Sequence, residues 1–292
     1  MSAFLHMKLE TMSPGNAKKI FIAYADAALA YSLKRIGRQA RRLKLFDEVI
    51  LYTPADLSDD IRAHPLMQHS RGGGYWLWKP WLIQKTLLEH NPGDIVVYVD
   101  AGSTLRKSPE WESLFGMMAQ YDTLCFQYAE TVPEFARWGN ASTKIKYWTK
   151  KQMLDFFDNY FQDTAYRDNR KIMGGLIFMK NPENSLLRQW LDITLHHPEL
   201  IVDPTPEEMQ DQEPGFAYHK HEQSVITALA YYDKTVCMIP ETYEKYRPDT
   251  FAWASRCRAA GFKEYLLWST KTRLRLLLGD TVIDNLKKAH GR

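Results

Sequence analysis

Carboxylates recur where apolar runs stop. K-K-I-F-I-A-Y-A-D closes on Asp26, and G-D-I-V-V-Y-V-D-A-G-S puts Asp100 directly after the apolar residues Ile95 to Val99. A carboxylate at the end of a buried strand can hold a divalent cation or accept hydrogen bonds from a sugar or base. It can equally cap the turn that follows. The small Ala101-Gly102-Ser103 turn would let a diphosphate come close. In R-G-G-G-Y-W-L-W-K-P, Arg71 and Lys79 lie near a helix start, where anions bind well. Of Trp76, Trp78 and Trp81, at least one is expected in the core and one against a cleft. His219-Lys220-His221-Glu222-Gln223 is dense in proton-transfer and ligand groups. On a helix His219 and Glu222 would share a face, whereas His221 and Glu222 would not. Gly174 and Gly175 interrupt K-I-M-G-G-L-I-F-M-K-N and imply close approach by a ligand or another backbone.

The surrounding elements must hold these groups. Lys18 to Asp26 reads as a first strand. The helix after it carries Leu29, Leu33, Ile36, Ala40 and Leu43 on one stripe. D-E-V-I-L-Y-T is a second, parallel strand, completing a βαβ unit. Pro80 suits the first turn of a helix running to about His90, and Asn91-Pro92-Gly93 turns the chain into I-V-V-Y-V. D-T-L-C-F-Q-Y, the Gly174–Gly175 segment and T-V-C-M-I-P supply further strands. Thr149 with Gln152 has the spacing of a capping box. S-L-L-R-Q-W-L-D-I-T-L-H-H and H-K-H-E-Q-S-V-I-T-A-L-A-Y-Y are helices, joined by a Pro-rich acidic loop. In an open α/β sheet, ligands bind beyond the carboxyl ends of the strands, where Asp26 and Asp100 both fall.

The 292 residues, 45% hydrophobic and 25% charged, suit a globular chain. A net charge of +3 is too small to argue for nucleic acid. No apolar run reaches transmembrane length, and residues 1–17 read as a loose leader. Cys125, Cys237 and Cys257 form no C-x-x-C pair, so a structural zinc site is not expected and reduced thiols in a cytoplasmic protein fit best. H-E-x-x-H, G-x-S-x-G and a G-x-G-x-x-G after the first strand are all missing. These absences weigh against a zincin, an α/β-hydrolase and a nicotinamide dehydrogenase. Beyond Arg256 the chain turns basic and amphipathic, with seven Lys or Arg against three Asp or Glu from 262 to 292. Such a segment can pack back on the domain or rest on an anionic membrane face.

Taken in order, Y-A-D, G-Y-W-L-W-K-P, G-D-I-V-V-Y-V-D-A-G, M-G-G-L-I-F-M-K-N and H-E-Q-S resemble bacterial GT-A glycosyltransferases of capsule and lipopolysaccharide biosynthesis, over roughly 18–240. The resemblance implies a Rossmann-like, mixed and mostly parallel sheet with helices on both faces, spanning 18–256, followed by a basic helical segment, 257–292. It implies transfer of a sugar from a nucleotide diphosphate, UDP favoured, to a hydroxyl of a glycan or lipid-linked glycan, with Mn²⁺ or Mg²⁺. Asp100 matches the first Asp of the family's Asp-x-Asp motif, and Gly102 stands where the second would be. Asp100 would hold the metal with His219, or bind the donor directly. Tyr24, Asp26 and Trp78 would meet the nucleoside, Arg71 and Lys79 the diphosphate, and Gly102, Ser103, Gly174, Gly175 and Gln223 the rest of the donor or the acceptor. Glu222 falls where such enzymes often carry the Asp of H-D-Q-S and would be the general base, with His221 beside it and Asp100 as the other catalytic carboxylate. The missing second Asp motivates a rival reading, a non-catalytic sugar- or nucleotide-binding protein on the same fold. A sugar-nucleotide pyrophosphorylase would need a Gly-rich basic loop after the first strand, where Y-A-D-A-A-L-A stands instead.

Overall fold

The computed structural model describes residues 17–278. Eight strands are present among them: β1 (Lys19–Tyr24), β2 (Glu48–Tyr52), β3 (Ile95–Val99), β4 (Thr104–Leu105), β5 (Thr123–Gln127), β6 (Ile172–Lys180), β7 (Val236–Pro240) and β8 (Ala252–Trp253). Six form one sheet in the order β2-β1-β3-β6-β5-β7, and β4 pairs with β8 in a small ribbon. In the six-stranded sheet β6 runs antiparallel to both its neighbours and the other pairs are parallel, while β4 and β8 are antiparallel. The mixed, mostly parallel sheet therefore agrees with the sequence expectation.

Period-two alternation assigns the side chains to two cores. Ile20, Ile22, Val96, Tyr98 and Ile177 face one side, packed with helices Trp78–Leu88, Ser185–His196 and Glu222–Tyr232. Phe21, Ala23, Val97, Val99 and Leu176 face the other, with helices Ala30–Leu43 and Glu110–Met117. All five residues of β3 are buried, as the run of β-branched side chains required. Each such large side chain contributes about 1.5–3 kcal/mol relative to exposure. Leu33, Ile36 and Ala40 are buried on the expected stripe of the first long helix.

Two local expectations fail. The helix expected to start at Thr149 begins at Lys151 without a side-chain cap, because the Thr149 hydroxyl donates instead to Ser224 Oγ at 2.9 Å. The later helix begins at Glu222, so His219 lies outside it and shares no helix face with that carboxylate.

The segment beyond Arg256 is tied to the sheet domain at its start. Cys257 N–H donates to the Gly102 carbonyl at 2.9 Å, and the Ser32 hydroxyl donates to the Cys257 carbonyl at 2.9 Å. The helix Phe262–Leu278 follows, with no buried residue. It touches the domain through Tyr265 beside Tyr31 and through Trp268, which donates to the Ser255 carbonyl at 3.2 Å. The leader expectation, but for residue 17, and the last part of the basic segment lie outside the described residues. Among those described, no helix is long and apolar enough to cross a membrane.

Candidate active site

Because β6 runs backward, its N-terminal end meets the C-terminal ends of β1, β3 and β5 at one edge of the sheet. The register pairs Val99 with Leu176, which places Asp100 opposite Gly175, and Asp100 N–H donates to the Gly175 carbonyl at 2.9 Å. A cleft of about 470 Å³ opens along this edge, a volume that suits a small ligand.

Lys79 lies beneath the cleft, 1% exposed, on the first turn of helix Trp78–Leu88. Its Nζ donates to the Gly174 carbonyl at 3.0 Å and to Glu222 Oε1 at 3.2 Å, and lies 3.9 Å from Asp100 Oδ1. Asp100 also accepts from the Tyr98 hydroxyl at 2.5 Å, yet keeps 39% of its side chain exposed. Glu222 is nearly inaccessible, and burial pushes its carboxyl above the usual range while Lys79 pulls it back. One ammonium thus couples an exposed carboxylate to a buried one.

The glycine pair fits these two acids. A Cβ at Gly175 would lie 2.9 Å from Asp100 Oδ2, and one at Gly174 would lie 3.2 Å from Glu222 Oε1 and 3.0 Å from Gln223 Cγ. The close approach foreseen at Gly174 and Gly175 is therefore made by side chains of this chain, Asp100 above all.

The β1 end of the cleft is aromatic. Tyr24 stacks on Trp78 with ring centroids 4.0 Å apart. Burial, helped by Asp26, pushes the Tyr24 phenol up to about 12, so it is a neutral hydroxyl at physiological pH. Asp26 Oδ1 accepts from Ala28 N–H at 3.0 Å and caps a short 3-10 turn. The capping reading of this residue holds, and the residue also lines the cleft. Trp76 joins Trp78 on the cleft wall, while Trp81 packs against the core. Ser103 and Gly102 complete the turn after Asp100, braced by buried Arg35, which donates to the Ser103 carbonyl and to Thr104 Oγ1.

Three expected site residues are not in the cleft wall. Arg71 pairs with Asp203 at 3.1 Å and lies over the Tyr218 ring, so an acidic partner draws it away from the expected diphosphate position. His219 is buried with both ring nitrogens engaged, by Lys150 N–H at 3.2 Å and by the Leu200 carbonyl at 3.0 Å, leaving no lone pair for a metal. His221 is buried against Tyr75 and Trp76, with Nδ1 on the Ile201 carbonyl at 2.7 Å. Burial lowers its pKa to about 4, so it is neutral at physiological pH and packs behind the site.

The divalent cation that the resemblance implies finds no matching donor set. Among the described residues no group of three or more His, Cys, Asp or Glu is placed to hold a metal. At Gly102, where a second Asp would stand, a Cβ would lie 3.2 Å from the Cys257 carbonyl. The Cys257 backbone crowds this position, so a side chain there would have to push that segment back by a few tenths of an ångström.

The sequence reading missed a further wall. Tyr128, Met173, Tyr243, Ala254, Arg256 and Arg258 also line the cleft, Tyr128 just past β5 and Met173 within β6. Among the described residues the buried Tyr243 hydroxyl has no hydrogen-bond partner. In Ser255-Arg256-Cys257-Arg258-Ala259, buried small residues alternate with exposed arginines. That alternation was visible in the sequence as an extended segment with one basic face, but it read as the start of the basic tail.

No family model and no curated protein matches this sequence. Among solved structures the chain is similar to the galactosyltransferase LgtC in complex with donor and acceptor sugar analogs, at 14% identity over 75% of this chain and 72% of that one, TM-score 0.36. It is also similar to mouse xyloside xylosyltransferase 1, at 10% identity over 76% and 84%, TM-score 0.39. A third similar structure is a glycosyltransferase involved in glycosylation of the major capsid of PBCV-1, at 8% identity over 76% and 81%, TM-score 0.40.

Proposed function

We propose that this protein is a glycosyltransferase that moves a sugar from a nucleoside-diphosphate donor, UDP favoured, to a hydroxyl of a glycan or lipid-linked glycan. Surface polysaccharide synthesis on the cytoplasmic side of a membrane is the setting this reading suits. The observation that carries it is the Asp100–Lys79–Glu222 group at the C-terminal edge of the central strand, inside a cleft whose other end is the Tyr24–Trp78–Asp26 wall. An aromatic edge and a carboxylate suit a base and a ribose. The small turn at Gly102 and Ser103 leaves room for the diphosphate.

In the reaction, the bond between the anomeric carbon and the donor phosphate oxygen breaks, and the diphosphate leaves with the electron pair. A new bond forms to the acceptor oxygen, whose proton passes to a carboxylate. Glu222, with the proton affinity that burial gives it, and Asp100, which ligand can reach, are the two candidates. Gln223 packs against Gly174 beside them and orients the substrate.

The test is nucleotide release from UDP-glucose, UDP-galactose, UDP-N-acetylglucosamine and GDP-mannose, with and without oligosaccharide acceptors. Slow release from one donor, accelerated by an acceptor, is expected. Binding of a nucleotide sugar without any turnover would instead favour the non-catalytic binding protein.

The C-terminal helix favours peripheral contact with an anionic membrane face. Leu266, Leu267, Leu274, Leu277 and Leu278 are exposed on it, beside Lys263, Lys271, Arg273 and Arg275. Co-sedimentation with phosphatidylglycerol vesicles should fall at least about tenfold in Leu274→Glu/Leu277→Glu. Equal sedimentation of variant and wild type would remove this reading.

A further inference from the structure

A donor diphosphate brings two or more negative charges into the cleft, and something must balance them. A resident metal is the usual means, but the donor set for one is missing among the described residues. Lys79 cannot serve, since one buried ammonium already stands between Asp100 and Glu222. Among the described residues two further cations lie in the cleft wall, Arg256 and Arg258.

Both sit on a segment fixed from behind. Ser255, Cys257 and Ala259 are buried at alternate positions and anchored to the domain. The Ser255 hydroxyl donates to the Gly102 carbonyl at 3.0 Å, and Cys257 N–H donates to the same oxygen. Ala259 N–H donates to Ser32 Oγ at 3.0 Å, and its carbonyl accepts from the N–H groups of Tyr31 and Ser32 at 3.1 Å. The residues between these anchors are the two exposed arginines, next to the Asp100–Ser103 turn. Arg256 holds a left-handed backbone, φ 55°, a conformation uncommon for a side chain of this size. Its Nη2 donates to both oxygens of Glu244, at 2.7 and 2.9 Å, leaving its remaining N–H groups unused by that pair. Among the described residues, Arg258 has no carboxylate partner, so its whole fork is available for bidentate recognition of phosphate.

We propose that Arg258, seconded by Arg256, binds the donor diphosphate, and that this protein therefore recognises its donor without a divalent cation. This inference rests on the transferase reading. The Cys257 carbonyl that crowds Gly102 belongs to the same segment that brings the arginines to the turn.

Titration calorimetry tests it with UDP, GDP, uridine and guanosine, each in EDTA and in Mn²⁺. In wild type, one diphosphate should bind in EDTA within about threefold of its affinity in Mn²⁺, and at least about tenfold more tightly than its nucleoside. Arg258→Gln should bring that diphosphate down to the affinity of the nucleoside and leave nucleoside binding unchanged. The side chain is exposed, so an unchanged melting temperature checks that the fold is intact. Affinity that appears only with Mn²⁺, or that Arg258→Gln leaves alone, overturns the proposal while the transferase reading stands. Wild type that binds none of the four ligands overturns both.

Discussion

Asp100→Ala should abolish sugar transfer, by at least about a thousandfold, in a protein that melts close to the wild-type temperature. The two halves of this expectation have separate causes. The carboxylate is the exposed member of the buried charge group and the one that ligand can reach. Its loss removes either the proton acceptor or the group that orients the reacting sugar. The fold depends on it little, since the neighbouring backbone contact from Asp100 N–H to Gly175 survives in alanine. The local cost is the buried Tyr98 hydroxyl, which loses its acceptor at about 1–3 kcal/mol. Nucleotide release measured beside a circular-dichroism melt checks both halves. Transfer at even a tenth of the wild-type rate would remove Asp100 from the mechanism.

Lys79→Met should act in the opposite sense, mainly on stability. Breaking a buried pair from one side leaves an uncompensated charge and costs about 3–5 kcal/mol, whereas replacing both partners by neutral groups is often close to neutral. Lys79 and Glu222 are each almost wholly buried. Lys79→Met alone is therefore expected to lower the melting temperature strongly, and Lys79→Met/Glu222→Gln to recover most of the loss. The pH dependence carries a sign. Burial already raises the Glu222 pKa, and without the ammonium it rises further. A carboxyl whose folded pKa lies above its unfolded value stabilises fully below the unfolded value, and that stability is lost as pH rises through the folded one. The single variant should thus approach wild type in acid and fall away toward neutral pH. A deficit independent of pH, or a double variant no better than the single, would show that the ammonium and Glu222 are not coupled in this way.

Much of the architecture was legible in the sequence because burial on two faces leaves a plain trace. I-V-V-Y-V is apolar throughout, ends at a carboxylate, and occupies the middle of the sheet with Asp100 at its edge. The direction of β6 was not legible, since apolar runs look alike whichever way they point. For that reason Gly174 and Gly175 suggested a ligand or another backbone, when the immediate neighbour of Gly175 is the Asp100 side chain. The start of the Lys79 helix was also visible. Its side chain was expected at an anion and found two, Asp100 and Glu222, the latter 143 residues away in sequence. Sequence alone could not foresee that Asp203 would take Arg71, or that the Leu200 carbonyl would take His219, because those partners arrive through tertiary folding. The two arginines of the cleft were hidden by a compositional reading of the tail, although the spacing of Ser255, Cys257 and Ala259 had already set their face.

The reversed strand also bears on how the molecule comes into being. Asp100 meets Gly175, Lys79 meets Glu222, and Ser32 meets Cys257 across 225 residues. Contacts of such separation must meet the entropy of closing long loops before they return anything, so they consolidate late. No stretch of the polypeptide short of nearly its full described length contains the cleft. A chain still emerging from synthesis, or one nicked and parted in its middle, has strands and helices but no place to bind. Ligand affinity in this protein is a readout of completed folding.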